Sequence, residues 1–123
     1  MKTAQARWAY HKYWVMARSQ AHYNALRQLF KGNDWSEDKD KILDQLLAEA
    51  QAIAPTPATL RTAYQHIWGY FKKIANDEER EAYKEMIGDE ATYEDLGEFL
   101  VQMTENYQPK YLVNSKFYDE GGF

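Results

Sequence analysis

The sequence predicts an all-α protein. Hydrophobic residues recur at helical spacing in nearly every segment, no stretch alternates like a strand, and helix-start residues punctuate the chain. At 123 residues the chain has the length of one domain, expected to span 1–123 as a single compact unit of six or seven helices. Hydrophobic content of 45% against 28% charged residues fits a chain that can bury a core and stay folded.

Residues 4–18 suit a first helix, with Tyr10, Tyr13, Trp14 and Ala17 on one stripe and Trp8, His11 and Val15 beside them. Ser19 is placed to cap a second helix, whose stripe is His22, Ala25, Leu26, Leu29 and Phe30 and which Gly32 can stop. Ser36 caps a third, with Glu37 and Asp38 in the first turn, where the helix dipole favours anions. Its inward stripe is Ile42, Leu43, Leu46, Leu47, Ala50 and Ile53. The stretch APTPAT at 54–59 breaks the chain, and Thr56 before Pro57 is a cap followed by proline at the first helical position. The fourth helix then buries Leu60, Ala63, Tyr64, Ile67, Phe71 and Ile74, which carries it past Gly69. Asn76 and Glu79 form a capping box for a fifth helix ending near Gly88. Thr92 with Asp95 opens a sixth, with Leu96, Phe99, Leu100 and Met103 inward. Pro109 interrupts it, and KYLVNSKFY is expected to make a short helical turn running into an extended tail.

Composition removes several classes of chemistry. Without cysteine there is no disulfide framework, no thiolate nucleophile and no cysteine-ligated zinc or iron–sulfur site. The three histidines lack the spacing of a metal site, so no metal and no cofactor is expected. No Ser–His–Asp order, carboxylate pair or glycine-rich phosphate loop stands out. The N-terminal residues include no apolar leader, and no segment approaches the ~18 apolar residues of a membrane span. The expectation is a cytoplasmic protein with no membrane partner.

Charge is unevenly spread. Residues 1–33 carry Lys2, Arg7, Lys12, Arg18, Arg27 and Lys31 and no acid, a balance of +6. With a net charge of −4 over the chain, the rest carries −10. A second acid-free window, 55–76, holds Arg61, Lys72 and Lys73. Such asymmetry either raises the prospect of an anionic partner or lets basic helices pair with acidic ones.

Candidate site residues fall in these two windows. In HKYWVMARSQAHY, His11 and Lys12 project from the first helix, and Arg18 and Ser19 sit at the start of the second, where free N–H groups favour anions. Ser19 has the competing role of a simple cap, and His22 that of a buried, hydrogen-bonded histidine. In the fourth helix Gln65, His66, Gly69, Lys72 and Lys73 lie opposite the apolar stripe. A mid-helix glycine costs about 1 kcal/mol relative to alanine. Gly69 therefore either admits another helix closely or opens a notch for a flat ligand. Tyr13, Trp14, Trp68 and Tyr70 supply rings for stacking, and aromatics interleaved with cations suit nucleotide bases and phosphates as well as an ordinary core.

The blocks YHKYWVMARSQAHYNAL, LRTAYQHIWGYFKK and KYLVNSKFY resemble, in order, the bacterial YbgA family of small helical domains. The resemblance covers most of the chain and points to His11, Lys12, Tyr13 and Ser19, to Gln65, His66, Gly69, Tyr70, Lys72 and Lys73, and to Tyr111. It departs at Arg18, where many relatives carry histidine, and in the tail FYDEGGF. The family's function is not established. Its members occur alone or behind a cysteine-rich desulfidase domain that acts on thiolated nucleobases, and some are encoded beside a DNA photolyase. The resemblance thus implies a nucleobase or nucleic acid as ligand and a desulfidase-type protein as partner. The absent cysteines exclude desulfidase activity from this chain.

Together these observations lead to an expected accessory domain whose first, second and fourth helices form one polar-aromatic pocket for a nucleotide or single-stranded nucleic acid. His11, Lys12, Arg18, Lys72 and Lys73 would contact phosphate. An enzyme using His66 or His11 as general base on a nucleotide-like substrate, and a helical adaptor for another protein, are the competing classes.

Overall fold

Polar caps set where the helices begin. The computed structural model describes residues 3–32 and 34–123. Thr3, Ser19, Ser36, Thr56 and Asn76 each accept a backbone N–H three residues on, opening α1 (Ala4–Met16), α2 (Gln20–Leu29), α3 (Glu37–Gln51), α4 (Pro57–Trp68) and α5 (Asp77–Ile87). At Thr56 and Asn76 the bond is reciprocated by Thr59 and Glu79, completing capping boxes. A 3₁₀ turn over Glu90–Thr92 leads into α6 (Tyr93–Tyr107). There the left-handed Gln108 (φ 54°) and Pro109 turn the chain into α7 (Lys110–Val113) and α8 (Lys116–Asp119). The fold is all-helical, with no strand among the described residues. None of those helices is long and apolar enough to cross a membrane.

The core gathers around α1, which packs on α2, α3, α4 and α8, while α6 packs on α4 and α5. Five successive residues of that first segment, Tyr13 through Ala17, are buried. Around them lie fully buried Leu26, Leu43, Ile67, Phe71, Leu96 and Leu100. Side chains of this size stabilise the fold by about 1.5–3 kcal/mol each relative to exposure.

The structure departs from the sequence expectation in several places; Ile42, expected inward, is exposed on α3, and Ala25 is exposed while Tyr23 is buried on α2. First, α4 ends at Trp68, and Gly69 is its exposed C-cap (φ −53°) rather than a mid-helix glycine. Residues 70–75 continue as turns held by bonds such as Tyr70 N–H to Ile67 O and Ala75 N–H to Phe71 O. Ile74, expected inward, is consequently 54% exposed. A Cβ at Gly69 would meet only the carbonyls of its own preceding turn, so no second helix packs there. Second, the glycine that does permit a close approach is Gly97, whose Cβ would lie 2.9 Å from the Tyr64 hydroxyl. Third, Thr92 makes no side-chain cap; its hydroxyl donates back to the Met86 and Asp89 carbonyls, and the 3₁₀ turn intervenes. Fourth, the tail is not extended. Phe117 is fully buried, Phe123 packs tilted against Phe117 and Tyr64, and Tyr10 donates to Asp119 at 2.6 Å. These contacts account for two four-residue helices, α7 and α8, beyond the six longer ones.

Gly97, and not Gly69, should therefore be the position intolerant of a side chain. Tyr64 is fixed by its bond to the Tyr93 carbonyl and by the Tyr93 and Phe123 rings, so it cannot yield cheaply to a new methyl. Gly97→Ala is expected to cost about 1–3 kcal/mol by overpacking. Gly69→Ala should change stability by less, because its backbone is already right-handed helical and only its own turn is near. Chemical denaturation of both variants measures this; equal losses would contradict the assignment.

Candidate functional site

Tyrosine and lysine side chains of α1 meet the turns after α4 and the short α7. The Tyr13 and Tyr70 hydroxyls share a hydrogen bond of 2.8 Å. The Tyr13 ring stands edge-on to Tyr70 and to Tyr111, each at 6.1 Å between centroids. Tyr70 and Tyr111 lie nearly parallel, 19° apart, at 6.0 Å. The Lys12 ammonium rests 5.9 Å from the Tyr13 centroid and 6.0 Å from that of Tyr111, within cation–π range. Tyr111, the outermost ring, is 37% exposed. The result is a ledge of three tyrosines under one lysine.

The electrostatics of this ledge are one-sided. Burial, and after it the charge of Arg27, pull the Lys12 ammonium below its ordinary titration range. Among the described residues no carboxylate pairs with Lys12. Burial also pushes the Tyr13 and Tyr111 phenols upward, so at neutral pH both are intact hydroxyls. Beside Tyr111, a cavity of about 420 Å³ is lined by Ala6, Ala9, Lys110 and Asn114. Two alanines one turn apart on α1 leave room there for a flat group.

Another side of α1 carries His11, and Arg18 lies in the turn that follows the helix. They line a separate cavity of about 420 Å³ with Arg7, Trp14, Asp44, Lys116 and Glu120. The His11 Nδ1–H donates to the Arg7 carbonyl at 2.8 Å, and its ring stands edge-on to Trp14 at 5.8 Å. Arg18 lies 4.7 Å from the Trp14 centroid and donates through Nη1 to the Ile53 carbonyl. A third cavity, about 490 Å³, sits where Tyr64, Tyr93, Gly97 and Phe123 meet, with Glu94 and Glu98 on its rim.

The single pocket expected from the sequence is thus divided. Lys12, Tyr13 and Tyr70 come together, joined by Tyr111, while His11 and Arg18 share a different cavity. Gln65 and His66 are exposed, and His66 Nδ1–H donates to the Thr62 carbonyl of its own helix at 2.8 Å. The Lys72 carbonyl accepts from Arg80 of α5, and among the described residues no hydrogen bond, ion pair or ring contact joins Lys72 or Lys73 to Lys12. Gly69 is open surface beside them.

Ser19 does cap α2, accepting the His22 N–H at 3.1 Å. Its Oγ also lies 2.7 Å from His22 Nδ1, and His22 Nε2 lies 2.9 Å from Glu49. This Ser–His–Glu chain was not legible, because Glu49 sits on the outer side of α3. None of the three cavities is lined by Ser19, His22 or Glu49, and the serine oxygen is already engaged as a cap. The chain works as a tether between α2 and α3, and the His22 bond holds the Glu49 carboxyl below its usual range. Four further cations were not singled out: Arg7 and Lys116 line the second of these cavities, Lys110 lines the one beside Tyr111, and Arg27 lies near Lys12. Arg27 carried the signal of the acid-free window; Lys110 and Lys116 carried none that distinguishes them from ordinary surface lysines.

A family model described as "Protein of unknown function (DUF1722)" matches residues 12–120. Comparison with curated proteins and with solved structures gave no match.

The tyrosine hydroxyls provide a measurable consequence. The Asp119 hydrogen bond, then burial, pushes the Tyr10 phenol up to about 12. Because the folded value is raised, this bond's contribution is complete below the unfolded tyrosine value of about 10. It is then lost as pH rises through about 12. Tyr10→Phe should lower the melting temperature at neutral pH, and the gap to the parent should close over that alkaline window. A gap that persists unchanged beyond it would show that the bond does not hold α8.

Proposed function

We propose, for a chain that belongs to the family of proteins of unknown function DUF1722, that the tyrosine ledge binds a flat anionic ligand of the nucleotide or single-stranded nucleic-acid class. The observation that carries this is Lys12: a half-buried ammonium held between tyrosine rings, with Arg27 as its charged neighbour and no carboxylate partner among the described residues. Burying an unbalanced cation is costly unless an anion joins it. Phosphate would meet Lys12, with Arg27 and Lys110 at the margins, and a base would lie against the exposed Tyr111 in the alanine-floored cavity. Base stacking on aromatic rings tolerates any sequence, so such binding would be sequence-indifferent.

Charge and stacking can be separated by a salt titration of fluorescent-oligonucleotide binding. Lys12→Gln should weaken binding and flatten the log–log salt slope by roughly 0.7, the value for one phosphate on a single strand. Tyr111→Ala should instead cost on the order of 1–3 kcal/mol and leave the slope nearly intact. Lys72→Glu with Lys73→Glu, distant in contact from the ledge, should have the smaller effect. No binding by the parent at low salt would overturn the reading.

A further inference from the structure

The cavity beside Tyr111 holds one side chain that sets a donor and an acceptor next to each other. Tyr111 belongs to α7 and Asn114 is the C-cap of that helix, three positions on, and both line this cavity with Ala6 and Ala9 of α1. The Asn114 Nδ2 donates to the Lys110 carbonyl at 2.9 Å, four residues back. A carbonyl can only accept, so this bond fixes which end of the amide is nitrogen. An amide nitrogen carries two hydrogens. Asn114 therefore keeps one N–H, and its Oδ1 accepts no hydrogen bond among the described residues. Tyr111 and Asn114 are both exposed, so ring and amide are open to a ligand in the cavity.

The chemistry of nucleobases matches this pairing of ring and amide. A base stacked on Tyr111 hides its face and leaves its edge to the other lining groups. Lys110, a cation, can only donate to that edge. Every common base has a donor next to an acceptor on its pairing edge. In adenine this is the 6-amino group beside N1, in cytosine the 4-amino group beside N3, in guanine the N1 hydrogen beside O6, and in uracil and thymine the N3 hydrogen beside O4. Turning the base over on the ring matches either order, so no single base is favoured. In a duplex the partner strand already occupies this edge, whereas an unpaired base offers it to a protein.

We propose that Asn114 is the specificity-determining residue of the ledge, reading the pairing edge of an unpaired base that lies on Tyr111. This rests on the ledge holding a nucleotide and narrows its ligand class. A flat anion without a donor–acceptor edge gains the stack and the charge but not the amide.

Fluorescence anisotropy of the full chain with a short labelled oligothymidylate, and with the same oligomer methylated at N3 of every thymine, tests it. The methyl group replaces the donor of the edge and leaves the ring faces and phosphates intact. The parent should bind the methylated oligomer about tenfold more weakly. Asn114→Ala should bind both oligomers alike, near the parent's affinity for the methylated one. If Asn114→Ala does not fold, NMR of the parent decides the matter: the Asn114 Nδ2 hydrogens should shift with the unmodified oligomer and stay in place with the methylated one. Equal affinities in the parent, a preference that persists in Asn114→Ala, or an Asn114 amide indifferent to methylation would overturn this role and leave the ledge as a nucleic-acid site. No binding of either oligomer by the parent would overturn both.

Discussion

Everything in this molecule is arranged around a helix that is buried on most of its circumference. Tyr13 through Ala17 are all inaccessible because α2, α3, α4 and α8 surround the second half of α1. A helix in that position has no room for short carboxylates, whose charge sits close to the backbone and would be desolvated. Lysine and arginine can be accommodated, since their long apolar stems run along neighbouring rings and carry the charge outward. Lys12 does this along Tyr13 and Tyr111, and Arg18 along Trp14. Burial therefore accounts for the absence of acids at Tyr13 through Ala17.

The abundance of tyrosine has a double origin. Tyr10 bonds Asp119, Tyr107 bonds Glu79 and Tyr118 bonds Glu105, so three phenols tie separate segments together through carboxylates. Tyr64 and Tyr93 bond main-chain carbonyls in the core. Among the described residues, Tyr13, Tyr70 and Tyr111 are the tyrosines that gather with a lysine and without an acid. What separates ring clusters that staple from ring clusters that can receive is the company of a carboxylate.

Local signals in the sequence were read well where local energetics decide the outcome. Ser19, Ser36, Thr56 and Asn76 cap the helices expected of them, since a cap is a bond across three residues. The meeting of Tyr13 with Tyr70 required more: a helical wheel gives a face, never a partner. A wheel drawn through Lys72 and Lys73 extends past the helix, because α4 stops at Trp68 and the chain continues as turns. The folded tail was missed because Phe117 and Phe123 depend on a slot formed with Tyr64, a residue about fifty positions earlier. Tertiary contacts of that separation leave no periodicity to find.

One consequence follows from the shared hydrogen between Tyr13 and Tyr70, 2.8 Å apart. Either oxygen can be the donor. When Tyr13 donates, the Tyr70 proton is turned outward and the rim offers a hydrogen; when Tyr70 donates inward, the same rim offers a lone pair. Switching between the two needs only rotation of two C–O bonds, with no heavy atom displaced. The rim of the ledge is in this sense amphoteric: it can greet a carbonyl or an amine at the same place, without charge and without rearrangement of the fold.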